Sequence, residues 1–173
     1  MSRADLTAAH LVRVQALAQA FVYIGYTRMQ GVPVQNSQLA VQSIGFQAAP
    51  ALEHVPEALA GILITPWFMN LVRLPVVAQT ATQGWLAPGI KAHRTLGCER
   101  FEFMGAFEDG LGAFEVCSLF SPMFEFADQA SAVATATEVL VLLREPVAAP
   151  VASALPQPSR RGFLFGRTAG ASA

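Results

Sequence analysis

The sequence predicts an α+β fold: an antiparallel sheet of about four to five strands, with the N- and C-terminal helices packed on one face and a disordered C-terminal tail. Three observations lead there. Both ends of the main body carry apolar residues at helical spacing, a short segment in the middle is apolar at every position, and two alternating segments flank an Asp-Gly turn.

The first element is a helix from about Ser2 to Tyr26. Ser2 followed by Asp5 fits an N-cap with an acid three residues on, which satisfies free N–H groups and suits the helix dipole. Leu11, Val14, Ala18 and Phe21 share a face, Leu17 and Ile24 widen it, and Gly25, Gly31 and Pro33 end it. Leu39 to Ala48 loosens into alternation and reads as a first strand. Gly61-Ile62-Leu63-Ile64-Thr65 is apolar on both faces, as a central strand must be. Pro66 lacks an N–H and interrupts the ladder, after which Trp67 to Val72 resumes extended character. Pro75, Gly84, Pro88 and Gly89 punctuate a loop-rich crossing around Trp85.

The clearest strand signal follows. Phe101 and Phe103 alternate with Glu102 and Met104, Ala113 to Leu119 faces them, and Asp109-Gly110 supplies turn chemistry because glycine accepts positive φ freely. Ser121-Pro122 reads as the cap and first position of a second helix, with Phe126, Ala130, Val133, Thr137 and Leu140 at helical spacing and Pro146 as the stop. Residues 1–145 form one domain in this reading. Residues 146–173 form a flexible Pro/Ala-rich tail carrying the basic-apolar cluster Arg160-Arg161-Gly162-Phe163-Leu164-Phe165-Gly166.

Composition narrows the function classes. Hydrophobic residues make up 53% and charged residues 13%, with mean hydropathy +0.42, so membrane insertion has to be tested first. Thr65, Pro66 and Asn70 break the longest apolar stretch, Leu59 to Val72, and Val139 to Leu143 is far short of the roughly 20 residues a bilayer span needs. The acidic start lacks the apolar core of a signal peptide, so the expected location is cytoplasmic, without membrane insertion. Residues 1–145 hold eight basic and twelve acidic residues, whereas 146–173 hold three arginines and no acid. An acidic body is a poor match for nucleic acid. Surplus apolar surface goes either into an unusually complete core or into a patch that a partner covers.

The chain has no phosphate loop, no nucleophile elbow and no paired metal-ligand motif. His10, His54 and His93 are scattered, and Cys98 and Cys117 are too few for a disulfide framework or zinc ribbon. No catalytic residue, metal or cofactor is therefore expected. Glu99, Glu102, Glu108 and Glu115 lie on or beside the hairpin, where a solvated or partner-facing patch is the commoner meaning of such acids. Two segments stand out. Thr65-Pro66-Trp67-Phe68-Met69-Asn70 crowds aromatics, methionine and proline into a strand, and Cys117-Ser118-Leu119-Phe120-Ser121-Pro122-Met123-Phe124 does the same at a strand-to-helix junction. Such residues serve as core filler or as adaptable binding surface. Together the two segments would make a groove.

These segments resemble the HybE/HupJ/HoxT-type nickel–iron hydrogenase assembly chaperones. The carriers are Gly61 to Leu71 and Cys117 to Met123, supported by the stretch from Trp85 to Phe103, the glycine-rich hairpin, the following alanine-rich helix and Ser159 to Leu164. The likeness spans nearly the whole sequence apart from the Pro/Ala linker. Some relatives carry a fused rubredoxin, whose paired Cys-x-x-Cys motifs are absent here, so the resemblance implies no metal. It implies a non-catalytic chaperone in hydrogenase maturation. Its partners would be the small-subunit precursor with its twin-arginine signal peptide, the large subunit, or both before export, and other maturation factors besides. For such a client the expected apolar contacts are Trp67, Phe68, Met69, Phe120 and Met123, with Asn70 and Leu119 as further client-binding candidates and Glu102, Glu108 and Glu115 meeting the client's arginines. Arg160, Arg161 and Phe163 of the tail repeat the signal's order of charge followed by apolar residues. The alternatives are a small-molecule or peptide binding domain with an aromatic, methionine-lined groove, a scaffold for other maturation factors, and an enzyme using Cys117.

Overall fold

The computed structural model describes residues 6–49, 51, 56–78, 84–97 and 99–144. The expectations for Ser2 and Asp5, for His54 and Cys98, and for the tail from 146 to 173 lie outside these residues. Helix α1 spans Ala8–Tyr26 and helix α2 spans Gln129–Arg144. Between them run β1 (Gln42–Ala49), β2 (Ala58–Ile64), β3 (Met69–Pro75), β4 (Lys91–Leu96), β5 (Glu99–Glu108) and β6 (Gly112–Phe120). The strands form one antiparallel sheet in the order β1-β2-β3-β6-β5-β4.

The expected α+β class is correct, and local chemistry moves several boundaries. Helix α1 is capped by Thr7, whose Oγ1 accepts from the His10 N–H at 3.2 Å while the Thr7 N–H donates to His10 Nδ1 at 3.3 Å. Ser121-Pro122, expected to open α2, instead precedes an irregular segment. The helix starts seven residues after Pro122, where Asp128 Oδ1 accepts from the Ser131 N–H at 2.8 Å. The sheet has six strands where about four to five were expected. The addition is β4, a polar edge strand with no apolar face.

The helices also lie on opposite faces of the sheet, which corrects the expectation of a single covered face. Val14, Leu17, Phe21 and Ile24 of α1 share a core with Leu59, Leu63, Val72, Leu74 and Phe114. Ala132, Ala136, Leu140 and Leu143 of α2 share another with Ile62, Ile64, Met69, Leu71 and Phe103. Successive side chains of a strand point to opposite faces, so β2 and β3, buried at every position, feed both cores. The last turn of α2 touches both margins of the sheet. Leu140 and Arg144 lie against Gly45 of β1, and the Leu143 carbonyl lies against Gly97 in the β4–β5 turn. Six flat strands would span about 24 Å from the first to the last, against a helix about 10 Å across. The sheet therefore curls around α2, leaving α1 on its convex side.

On the concave side, what α2 leaves uncovered is closed by the chain before β4. Trp85 is buried, and the backbone of Leu86 and Ala87 runs directly over Gly105 of β5, where a Cβ would fall 2.2 Å from the Ala87 oxygen. Beneath this strap sits a buried charge cluster. Glu115 of β6 is fully buried and pairs with Arg73, its cross-strand neighbour on β3, and with Arg94 of β4 at 2.7 Å. Its Oε1 also accepts the Leu86 N–H at 3.0 Å. Arg73 stacks on the Trp85 ring at 5.0 Å and donates to the Pro56 carbonyl at 3.0 Å, and Arg94 donates to the Gly84 carbonyl at 3.1 Å. Burial pushes the Arg73 guanidinium below its ordinary value, and Glu115 opposes that shift.

Two stability outcomes follow. Glu115→Gln keeps the shape and leaves two enclosed guanidinium groups without their anion, so unfolding free energy should fall by about 3 kcal/mol or more in urea titration. A loss below about 1 kcal/mol would mean that the cluster is not needed as a charged unit. Gly97 has φ +64, and a Cβ there would lie 1.6 Å from the Leu143 oxygen. Gly97→Ala should therefore cost about 2 kcal/mol or more, and a wild-type melting temperature would refute the close approach of α2.

Candidate functional site

The two unusual segments are neighbours in space at one end of the sheet. Met69 pairs with Phe120 and Asn70 with Ser118 across the β3–β6 ladder. Thr65 to Phe68 is the turn between β2 and β3. The Thr65 N–H and Oγ1 both donate to the Phe68 carbonyl, at 2.8 and 3.1 Å, and Oγ1 accepts the Phe68 N–H at 2.9 Å. Pro66 is tolerated because it stands in this turn and not in the ladder. Asn36, which the sequence did not single out, clips the region together. Its N–H donates to the Pro66 carbonyl at 2.8 Å, and its side-chain amide donates to the carbonyls of Met123 and Phe126 at 3.0 and 2.7 Å.

The side chains of these segments do not line one groove, contrary to expectation. Strand alternation divides them. Trp67 and Phe68 enter the α1 core, Phe68 packing edge-on against Phe21 at 5.5 Å, while Met69, Leu119, Phe120 and Met123 belong to the α2 side. Met69 and Met123 are completely buried and Trp67 nearly so, which makes them core. Phe68, Leu119 and Phe120 are half-buried, and Phe120 meets Phe126 edge-on at 5.2 Å.

The acids do not cluster either. Glu102 pairs with Lys91 at 2.8 Å on the exposed side of β5 and β4, and Glu108 pairs with Arg28 at 2.6 Å beside the hairpin turn. Glu115 is enclosed with the chain's own arginines, so its expected role toward a client is corrected to a structural one. Burial, reinforced by the charge of Glu102, pushes the Cys117 thiol up, the reverse of an activated nucleophile. Among the described residues no group of His, Cys, Asp and Glu is placed to hold a metal ion, and no helix is long and apolar enough to cross a membrane.

Helix α1 shares its core with β1, β2, Val72 and Leu74 of β3 and Phe114 at the hairpin end of β6. Among the described residues the convex face is therefore exposed only beyond these, as at Ser118 of β6, Met104 of β5 and Lys91, His93 and Thr95 of β4. Asn70 stands at the border between covered and open halves. It is 8% exposed, and its buried Oδ1 has no hydrogen-bond partner among the described residues. Leaving such an acceptor unpaired costs about 1–3 kcal/mol. Alternation puts Val72 beside it along β3 and exposed Ser118 across from it, with Phe68 in the turn just before the strand. Half-buried Val116 and exposed Met104, which are cross-strand partners, continue the strip toward β4, and Glu102 lies at its rim. Met104 and Ser118 were not among the expected contacts. Their part is visible only once β6 is known to turn Phe114, Val116 and Ser118 to the α1 face, with Phe114 under the helix and Ser118 beyond it.

Comparison with known proteins agrees with the resemblance. The family model described as "[NiFe]-hydrogenase assembly, chaperone, HybE" matches residues 12–166. Protein HoxT of Cupriavidus necator is 46% identical over 172 residues, covering 96% of each chain. The hydrogenase expression/formation protein HupJ of Bradyrhizobium diazoefficiens is 34% identical over 155 residues, covering 87% of this chain and 85% of its own. The solution structure of HybE from Escherichia coli superposes with a TM-score of 0.55 at 22% identity, over 91% of each chain, and shares the fold. The chain belongs to the HybE family of nickel–iron hydrogenase assembly chaperones and is not an enzyme.

Proposed function

We propose that this chaperone holds a hydrogenase precursor in the cytoplasm before export, receiving the twin-arginine signal peptide of the small subunit on the convex strip bordered by Asn70. The observation that carries this reading is the strip of exposed Met104 and Ser118 with half-buried Val116 and Phe68, bordered by Asn70. The buried Oδ1 of Asn70 has no partner among the described residues and would come within reach of a client N–H after a small shift of its side chain. A buried acceptor with no internal partner is a stability cost, and a ligand that donates an N–H relieves it. Phe68, Val116 and Met104 supply apolar contact on either side, and Ser118 offers a second polar group. A signal peptide that is basic at one end and apolar thereafter matches this order, because Glu102 lies at the rim. The pair that Glu102 makes with Lys91 is exposed on both sides and cheap to exchange for a client arginine. The hydrogenase large subunit and other maturation factors are the competing partners, and the same experiment separates them.

Tagged protein recovered from cells producing the hydrogenase should bring the small subunit with it only when the signal peptide is present. Recovery of either subunit regardless of the peptide would move the contact to folded subunit surface. Asn70→Leu removes the unpaired acceptor while keeping the side chain's heavy-atom count and its branch at Cγ. It should leave the melting temperature unchanged or higher while weakening client binding about tenfold, equivalent to 1.4 kcal/mol. Unimpaired binding by this variant would remove Asn70 from the site.

A further inference from the structure

The C-terminal segment of this chain has the chemistry of the client proposed above, and its length lets it reach the same surface. We infer that residues 159–165 dock on the convex strip when no client is present and are displaced by it. This rests on the client-binding reading.

The first argument is where the chain leaves the described structure. Helix α2 ends at Arg144 with the Leu143 carbonyl against Gly97, in the turn between β4 and β5. From that turn, β5 runs through Glu102 to Met104, two residues of the strip. Glu99 to Met104 covers about 17 Å, and crossing to Asn70 on β3 adds two strand spacings, about 10 Å. The 14 residues from 145 to 158 reach about 45 Å when extended, ample for this path around the β4 margin.

The second argument is charge and polarity. Arg160 and Arg161 precede Phe163-Leu164-Phe165, so arginines at the Glu102 rim would leave the three apolar side chains over Met104, Val116 and Phe68. The body holds eight basic and twelve acidic residues, and residues 146–173 are purely basic, so body and tail attract each other. The backbone N–H groups of such a segment are candidate donors to Asn70 Oδ1. The third argument is that the family match runs to residue 166, which takes in the whole arginine-to-phenylalanine segment and stops just after it. Tethering makes even a weak contact count, since a linker of this length holds its segment near the surface at roughly millimolar effective concentration.

The test uses the full chain and the double variant Phe163→Ser/Phe165→Ser, each labelled for NMR and then titrated with a synthetic twin-arginine signal peptide. The inference expects the double substitution to shift the amide resonances of Phe68, Met104 and Ser118 before any peptide is added, and to tighten peptide binding about tenfold. Unmoved strip resonances would overturn docking. Moved resonances with unchanged peptide affinity would overturn competition for the site. If the peptide binds neither protein, the client reading fails, and the resonance shifts alone decide whether the tail docks.

Discussion

Glu115 is the point at which the separate parts of this fold have to agree. Its carboxylate lies at the centre of the sheet, between an arginine on β3 and an arginine on β4, with a backbone N–H from the strap above it. Gly105 intervenes on β5 and has no side chain, so the strap descends far enough to deliver that N–H. Slipping β6 against β3 by one residue would turn the acid to the convex face and strand both arginines on the concave one. A buried ionic cluster is weak evidence for net stability, because apolar residues of the same volume often do as well. Here its effect is on specificity: one register of β3 against β6, and one path for the chain across Trp85, satisfy all of its partners.

That constraint decides which surface stays free. The strap and α2 lie over the concave side, and α1 lies over β1, β2, β3 and the hairpin end of β6 on the other. Among the described residues, the exposed side chains of the convex face then fall on β4, on β5, Glu102 and Met104 among them, and on Ser118 of β6. The edge of that face is blunted by exposed Lys91 and His93 along β4, while Arg94 turns inward to Glu115, both common ways to discourage strand pairing. Its inner border is Asn70. The sheet thus presents an interaction surface through its face, with the charged edge held in reserve for solvent.

Much of this was legible in the residues. The continuous apolar run at Gly61 to Ile64 marks a central strand because burial on both sides leaves no room for alternation. Asp109-Gly110 marks its hairpin because the turn needs positive φ. Strand β4 escaped notice since Lys91-Ala92-His93-Arg94-Thr95-Leu96 packs no continuous apolar face and Arg94 looks like surface until its partner is seen. Ser121-Pro122 imitates a helix start, and only the backbone bonds to Asp128 reveal the true one. The division of Trp67 to Asn70 between two cores depends on which strand partners them, information that local sequence does not contain. For the same reason Glu115 read as a surface acid, although Glu102 on the neighbouring strand, with the same chemistry, does lie outside.

Asn70 and Glu115 together separate two meanings of a buried polar group. Both are enclosed, both sit on central strands, and neither position is accounted for by the apolar pattern around it. Glu115 has every oxygen engaged within the chain, so its burial is balanced by partners folding itself supplies, and it belongs to the scaffold. Asn70 has an acceptor that folding leaves unanswered, at the one border where the sheet is open. Its neighbours Leu63 and Val72 on the same face are aliphatic and belong to the α1 core, so nothing in the packing around Asn70 calls for an amide. An unanswered acceptor at the edge of the exposed strip is a stability cost that a hydrogen-bond donor would relieve, and this contrast, more than the abundance of aromatic residues, is what supports the proposed client surface.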